Sequence, residues 1–400
     1  MTAPSAIADW VIAAGLAGES EIALLDGFCQ RVLDAGVTLA RAGVLIDTLH
    51  PVHEGRAFLW RRDRSGAPEL IEYGSTSEGE AAATWRASAF FHMLETGEDK
   101  LCIPLAPGRP SGFSRTDAFA AEGMTEYLAL INRFAREGAI GEMDCVYSYW
   151  MTDQPDGFIG RDVEQIVGLM PSLALAVKCA SLTRITGTLV ETYLGRDPGR
   201  RVLGGHISRG AADRIHAVLW YSDLRGFTRI TDDAPPQQTI ALLNDYAEAV
   251  ISAVHEHGGD VLKLIGDGIL AIFPYDDGPD AACSGAIAAE RALRKGLTKL
   301  NEKRAAAGKP VTDVYLGLHI GEVFYGNIGS RERLDFTVIG PAVNEVARIA
   351  AMCRSAERDV LLSADFATAA KAAMPVSVGR YALRGVARPQ ELFTLDRSVD

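Results

Sequence analysis

Ala217-Val218-Leu219-Trp220-Tyr221-Ser222-Asp223-Leu224-Arg225-Gly226-Phe227-Thr228 and, further on, Asp260-Val261-Leu262-Lys263-Leu264-Ile265-Gly266-Asp267-Gly268-Ile269-Leu270-Ala271-Ile272-Phe273-Pro274 decide the fold of the C-terminal half. The first stretch is apolar as far as Tyr221 and reads as a buried strand that ends at a carboxylate. The second reads as two strands around a Gly-Asp-Gly turn, with Asp267 at its tip. A helical pattern joins the two. Each acid has an ordinary explanation when taken alone: Asp and Gly favour turns, and an Asp after a strand often caps a helix. Taken together they put two carboxylates at one edge of a sheet. Mg²⁺ accepts a few carboxylate oxygens and leaves its other positions to water or phosphate, so the pair suits a phosphoryl-transfer site.

Outward from this stretch, Pro235 to Glu256 reads as a helix, with Ile240, Leu242, Leu243, Tyr246, Val250, Ile251 and Val254 as its apolar set. Asp280 to Ala307 reads as a second helix. Leu316 to Gly329 is punctuated by Gly317, Gly321 and Gly326 and reads as a hairpin; Asp335 to Val338 reads as a short strand, and Val343 to Met352 as a third helix. Strands are expected near 360–363, 376–383 and 391–395. Asn344 and Arg348 stand four residues apart, so they share one helix face.

Four stretches now carry a family resemblance: Tyr-Ser-Asp-Leu-Arg-Gly-Phe-Thr (221–228), Lys-Leu-Ile-Gly-Asp-Gly (263–268), Gly-Leu-His-Ile-Gly (317–321) and Val-Ile-Gly-Pro-Ala-Val-Asn-Glu-Val-Ala-Arg (338–348). In order and spacing, residues from about 214 to 397 resemble the catalytic domain of class III nucleotidyl cyclases, which make cyclic AMP or cyclic GMP from the triphosphate. The resemblance implies a ferredoxin-like α+β domain. It implies two Mg²⁺ (or Mn²⁺) ions on Asp223, Asp267 and the backbone carbonyl of Leu224. It implies phosphate contacts from the Leu224, Gly226, Phe227 and Thr228 turn, a ribose-orienting Asn344, and an Arg348 that neutralises charge on the α-phosphate. Lys263 and Thr337 take the positions of the base-reading pair, which implies ATP as substrate. Thr337 stands where many adenylyl cyclases have Asp, and this resembles the subgroup in which a bicarbonate response has been described. Val386 stands where a phosphate-binding Lys is common, with Arg384 and Arg388 nearby. Sites shared between two catalytic domains imply a homodimer, since this one domain carries both halves of the set. Two rivals stay open. One is a diguanylate cyclase, suggested by Gly258-Gly259-Asp260 but lacking the residues expected next; the other is a degenerate domain that binds nucleotide without turning it over. Guanylate cyclase activity is the alternative within the family.

The N-terminal half reads differently. Helices are expected over residues 6–18, from Ser20 to Ala42, from Thr84 to Glu95 and from Thr125 to Arg136. A hairpin is expected from Glu54 to Tyr73 around Arg64-Ser65-Gly66, and strands over 101–105 and 143–151; Gly43-Val44-Leu45 is undecided. The element order, and the entry Gly157-Phe158-Ile159-Gly160-Arg161-Asp162 into a long helix, resemble a GAF-type sensory domain, which implies a small-molecule effector. The expected division is a sensory domain over 1–161, a helical connector with Pro171 over 162–205, and the catalytic domain over 206–400.

Composition bounds these readings. Four hundred residues suffice for two or three domains, and 48% hydrophobic with 23% charged residues is ordinary for a globular protein. A formal net charge of −12 argues against non-specific nucleic-acid binding, which needs a basic surface. Cys29, Cys102, Cys145, Cys179, Cys283 and Cys353 are scattered with no Cys-x-x-Cys pair, so neither a zinc site nor a disulfide framework is expected. Asp9 interrupts the first apolar stretch, which lacks the pattern of a signal peptide. No run is expected to reach membrane-spanning length, and the chain reads as cytoplasmic.

Overall fold

The computed structural model describes residues 3–395 except 65, 136–139, 142, 385 and 387. Ser65 and Arg136, which figure in the readings above, lie outside the described residues. The chain forms two compact units, 1–189 and 190–400.

The N-terminal unit runs α1 (Ala3–Leu16), α2 (Glu21–Asp34), β1 (Arg41–Asp47), β2 (Gly55–Arg61), β3 (Glu69–Tyr73), α3 (Gly79–Arg86), α4 (Ala89–Thr96), β4 (Lys100–Pro104), α5 (Thr116–Ala121), β5 (Glu126–Arg133), β6 (Cys145–Thr152) and α6 (Gly160–Leu194). Its strands form one antiparallel sheet in the order β3-β2-β1-β6-β5-β4. One sheet face packs Val44, Phe58, Leu128 and Trp150 against α2 and α6; the other packs Tyr127, Ile131 and Tyr147 with Phe90 and Met93 of α4.

Three expectations for this half are corrected. Residues 125–136 are not a helix: Glu126–Arg133 is strand β5, buried on both faces, with Leu128 in one core and Tyr127 in the other. A strand covered on both sides reads as an unbroken apolar run and mimics a buried helix. The helix expected from Ser20 to Ala42 ends at Asp34, before Gly36 at φ 89°, and Gly43-Val44-Leu45 falls inside β1. The third concerns α6, which is 35 residues long and by length and composition alone could cross a membrane. Its Ile166, Leu169, Leu173, Val177 and Ile185 instead belong to the core of the N-terminal unit.

The C-terminal unit continues with α7 (Arg196–Leu203), β7 (Ala212–Leu224), α8 (Phe227–Asp233), α9 (Pro236–Glu256), β8 (Asp260–Ile265), β9 (Gly268–Tyr275), α10 (Asp280–Ala306), β10 (Val314–Gly329), β11 (Leu334–Ile339), α11 (Pro341–Met352), β12 (Val360–Ser363), α12 (Ala364–Ala369), β13 (Val376–Tyr381) and β14 (Gln390–Thr394). The sheet order is β13-β14-β12-β10-β7-β9-β8, with β11 paired to β10. One face buries Val218, Trp220, Val261 and Phe273 with α9 and α10; the other buries Ala217, Leu219, Leu262 and Leu270 with Phe336 of β11 and Val346 of α11.

The hairpin expected over 316–329 is one 16-residue strand, β10. Its glycines make room instead of turns. A Cβ on Gly317 would lie 2.6 Å from the Val346 carbonyl oxygen, and one on Gly321 would lie 2.3 Å from the Ala342 Cβ. Both neighbours belong to α11, so the bare backbone of β10 lets that helix lie directly on the sheet.

Gly317→Ala is therefore expected to push α11 off β10, at a cost of about 1–3 kcal/mol. A lowered midpoint of thermal unfolding checks this; an unchanged midpoint would mean that α11 does not need the close approach.

Candidate active site

Strand β7 carries Asp223 at its C-terminal end, opposite Tyr315 of β10, and the β8–β9 turn carries Asp267. Cross-strand pairing sets Ser222 against Ile269, which brings the turn beside the end of β7. The two carboxyl groups are hydrogen-bonded to one another. Burial, then the hydrogen bond and charge of Asp267, push the Asp223 carboxyl up to about 7, while the Leu224 N–H works in the opposite direction. Beneath them, Tyr246 of α9 donates its hydroxyl to Ser222 Oγ at 3.1 Å, inside the core. No Lys, Arg or His forms an ion pair with either acid among the described residues.

This arrangement fits a divalent cation. Two carboxylates pressed together without a cation are an unbalanced like-charge pair, and a bound ion removes the imbalance. No group of three or more His, Cys, Asp or Glu that could hold a metal occurs among the described residues, so the pair is not part of an all-protein cage. Mg²⁺ suits such a partial set, because it keeps several positions for water and phosphate.

Around the pair, Leu224 is buried at the end of β7, and Gly226 takes the left-handed conformation at φ 71° that opens α8. Phe227 packs against the core shared with α9, and Thr228 is exposed. Residues 224–228 were expected only as a turn; α8 grows out of it. Asn344 is exposed and Arg348 half-buried on α11. Neither makes a hydrogen bond or ion pair with Asp223, Asp267 or Lys263 among the described residues, and Arg348 has no acidic partner among them.

Lys263 sits on β8 at a bulge. Val261 pairs with Ala271 and Lys263 with Leu270, so Leu262 is the extra residue. Regular alternation would put Lys263 on the face of Val261, toward α9 and α10. The bulge turns it onto the face of Leu262 and Leu270, where α11 and β11 lie. Its ammonium donates to Asp335 Oδ2 on β11. Thr337, two residues along the same strand, is buried and pairs with Gly326.

A family model, the adenylate and guanylate cyclase catalytic domain, matches residues 212–395. The C-terminal unit belongs to this cyclase family. It is similar to an adenylate cyclase of Anabaena cylindrica, 35% identical over 159 residues, covering 40% of this chain and 31% of that protein. Among solved structures it is similar to the adenylyl cyclase CyaB from P. aeruginosa (27% identity, TM-score 0.43, covering 46% of this chain and 96% of that one). It is also similar to the guanylyl cyclase Cya2 (26% identity, TM-score 0.41, covering 46% of this chain and 93% of that one). The chain spans about a third of the length of the curated relatives it matches.

Within this cyclase domain, the structure brings the two sequence-predicted acids together and puts Asn344 and Arg348 on one helix. It gives Lys263 a partner, Asp335, that the sequence reading passed over. The spacing carried a signal: Asp335 and Thr337 are two apart on a strand and so share a face. Val386 is half-buried against the small core of Leu383 and Leu392, while Arg384 and Arg388 are exposed. In the N-terminal unit, His50 accepts from the Val52 and His53 N–H groups and stacks on the His53 ring, and His92 lies against Phe113.

Asp223 is raised from 3.8 to about 7, so the folded state binds the extra proton between those values and loses its advantage as pH rises. The cost of the acid pair is therefore small near pH 4 and fully present above pH 7. In metal-free buffer, Asp267→Asn should raise the unfolding midpoint at pH 8 and do so less at pH 5. Mg²⁺ or Mn²⁺ should raise the midpoint of the unsubstituted protein and not that of the variant. An equal metal response in both proteins would remove the assignment.

Proposed function

We propose that this chain is an adenylate cyclase that forms 3′,5′-cyclic AMP and pyrophosphate from ATP. The observation that carries the reading is the Asp223–Asp267 pair, two carboxyl groups close enough to share a proton at the strand ends of a cyclase-family domain. Asp223, Asp267 and the Leu224 carbonyl would hold two Mg²⁺ or Mn²⁺ ions. When bound, such ions supply the Lewis acidity that favours an ionised ribose 3′-hydroxyl and a departing pyrophosphate.

The protein groups do the rest. The N–H groups of the Gly226, Phe227 and Thr228 turn have no partner within their own helix turn and face the demand of phosphate oxygens. Arg348, without an acidic partner among the described residues, meets charge growing on the α-phosphate with a planar, permanently charged fork. Asn344, one helical turn earlier, orients the ribose. Lys263 and Thr337 read the base: an ammonium donates to a ring acceptor, and a hydroxyl accepts from the exocyclic amine of adenine.

The protein works as a two-fold homodimer in which the acid pair of one subunit faces the Lys263, Thr337, Asn344 and Arg348 set of the other. Among the described residues no hydrogen bond or ion pair joins these two sets within one chain, which supports this. The N-terminal unit is a GAF-like regulatory domain for a small-molecule effector. Support comes from a cavity of about 1200 Å³ in that unit, lined by Leu45, Tyr73, Trp85, Phe119, Tyr147 and Tyr149 among others. Ligand sites are commonly apolar clefts with a few placed polar groups.

Asp223→Ala should abolish cyclic AMP formation from ATP while leaving the unfolding midpoint near or above that of the parent; substantial turnover by this variant would refute the proposed site.

Asp267→Ala and Arg348→Ala damage opposite halves of a shared site. Mixed in equal amounts with confirmed subunit exchange, the two inactive proteins should recover about a quarter of full activity, since half the dimers are mixed and each has one undamaged site. No recovery would rule out shared sites.

A further inference from the structure

We infer that the cavity of the N-terminal unit takes an organic cation, with an ammonium group at the end bounded by Asp47 and Glu54 and an apolar body along the aromatic wall toward Tyr127. This rests on the reading of that cavity as a ligand site and adds the chemistry of the ligand.

Four carboxylates line the cavity, those of Asp47, Glu54, Glu80 and Asp144, against two guanidinium groups, Arg86 and Arg115. Two of the acids are held in place. Tyr73 donates its hydroxyl to Asp47 Oδ1 at 3.1 Å. It reaches Asp47 by lying over Gly55, where a Cβ would stand 2.1 Å from that hydroxyl oxygen. Gly55 pairs with Asp47 on one side and with Tyr73 on the other, so the three form a row across β1, β2 and β3. Beside this row, Glu54 accepts from the Thr76 N–H at 2.6 Å and from the Thr76 hydroxyl. Those bonds leave part of the Glu54 acceptor capacity open, and no cationic side chain pairs with Glu54 among the described residues. The acids are felt by the phenols around them. Burial, then Asp47, pushes the Tyr73 hydroxyl up; burial, then Cys145, Asp47 and Asp144, does the same to Tyr147.

Aromatic rings continue from the acidic end. Trp85 stands edge-on to Tyr147 with centroids 5.6 Å apart, and Tyr149 stacks on Tyr127 at 5.4 Å. The faces of such rings attract a cation, more strongly where water is excluded. Strand pairing sets the length of the wall. Tyr147 is opposite Leu45, two residues before Asp47, whereas Tyr127 is opposite Met151. Met151 lies beyond Tyr147 by about 13 Å along the strand. Tyr127 is only 6% exposed, and its hydroxyl has no hydrogen-bond partner among the described residues although the side chain lines the cavity. A buried hydroxyl left without a partner is costly. The far end of the ligand therefore carries a hydrogen-bonding atom.

Calorimetric titration of the full chain compares one body with three head groups: 4-phenylbutylammonium, 4-phenylbutanol and 4-phenylbutyrate. The ammonium should bind about tenfold more tightly than either of the others. Asp47→Asn, which leaves Tyr73 an acceptor, and Glu54→Gln should each weaken the ammonium by about tenfold and leave the alcohol within about twofold. A ring hydroxyl, in 4-(4-hydroxyphenyl)butylammonium, should tighten binding, and Tyr127→Phe should erase that gain. Equal binding of ammonium and alcohol would overturn the inference. So would tighter binding of the butyrate, or no heat from the ammonium at about 1 mM. Cyclic AMP formation from ATP, with and without the amine, tests the regulatory reading separately: binding with an unchanged rate would end that reading and leave the cation site standing.

Discussion

Two carboxylates held in contact repel each other, and the C-terminal unit depends on keeping them there. Asp223 cannot leave: it closes a strand whose preceding residues, Val218 to Trp220, are fully buried and paired on both edges. Asp267 cannot leave either, because the β8–β9 turn is tied to the centre of the sheet through β9. The repulsion appears as a carboxyl that clings to its proton. A fold seeking only stability would replace one acid, and that it holds both reads as function placed against stability. The surrounding apolar packing carries the cost: two core layers, one on each sheet face, contain far more buried area than the single unfavourable contact can offset.

The same sheet explains why the other site elements sit where they do. Helix α11 lies against β10 because Gly317 and Gly321 offer no side chain to hold it away. Any larger residue would lift the helix, and with it Asn344 and Arg348, by a distance comparable to the tolerance of a polar contact. Arg294 works in the same direction from the other face. Its guanidinium joins Glu290 on α10 to Asp313 and to the carbonyls of Val314 and Asp359, which ties the starts of β10 and β12 together. The geometry of the site is thus set by backbone positions as much as by side chains.

Much of this was legible in the sequence because local pattern and tertiary role agree. The strand ending at Asp223 and the Gly-Asp-Gly turn are read correctly from apolar runs and turn residues. The misreadings have one physical origin, namely that a linear pattern does not say what lies on either side. Strand β5 looked helical because both of its faces are covered. Strand β10 looked like a hairpin because glycine is the residue of turns as well as of close approach. The side on which Lys263 emerges cannot be read from residue spacing, since a bulge changes the parity without leaving a signature in the residues around it. Asp335 was passed over for a related reason, although its spacing from Thr337 placed both on one strand face. It is 72 positions from Lys263, and only the crossing of β11 over the β8 side of the sheet brings them together.

The Lys263–Asp335 pair also shows why energy and importance must be kept apart. An ion pair this exposed contributes between nothing and about 1 kcal/mol to folding. The apolar contacts of Leu262, Leu270 and Phe336 bring β8 and β11 together far more strongly, since burying one such side chain is worth roughly 1.5–3 kcal/mol. The ion pair is therefore not what joins the strands; the strands are what bring the ions to one place. A charge pair that a rigid frame positions, and that costs little to disturb, can change partners when a ligand arrives. That is the property a recognition element needs, and a buried, fully satisfied pair would lack it.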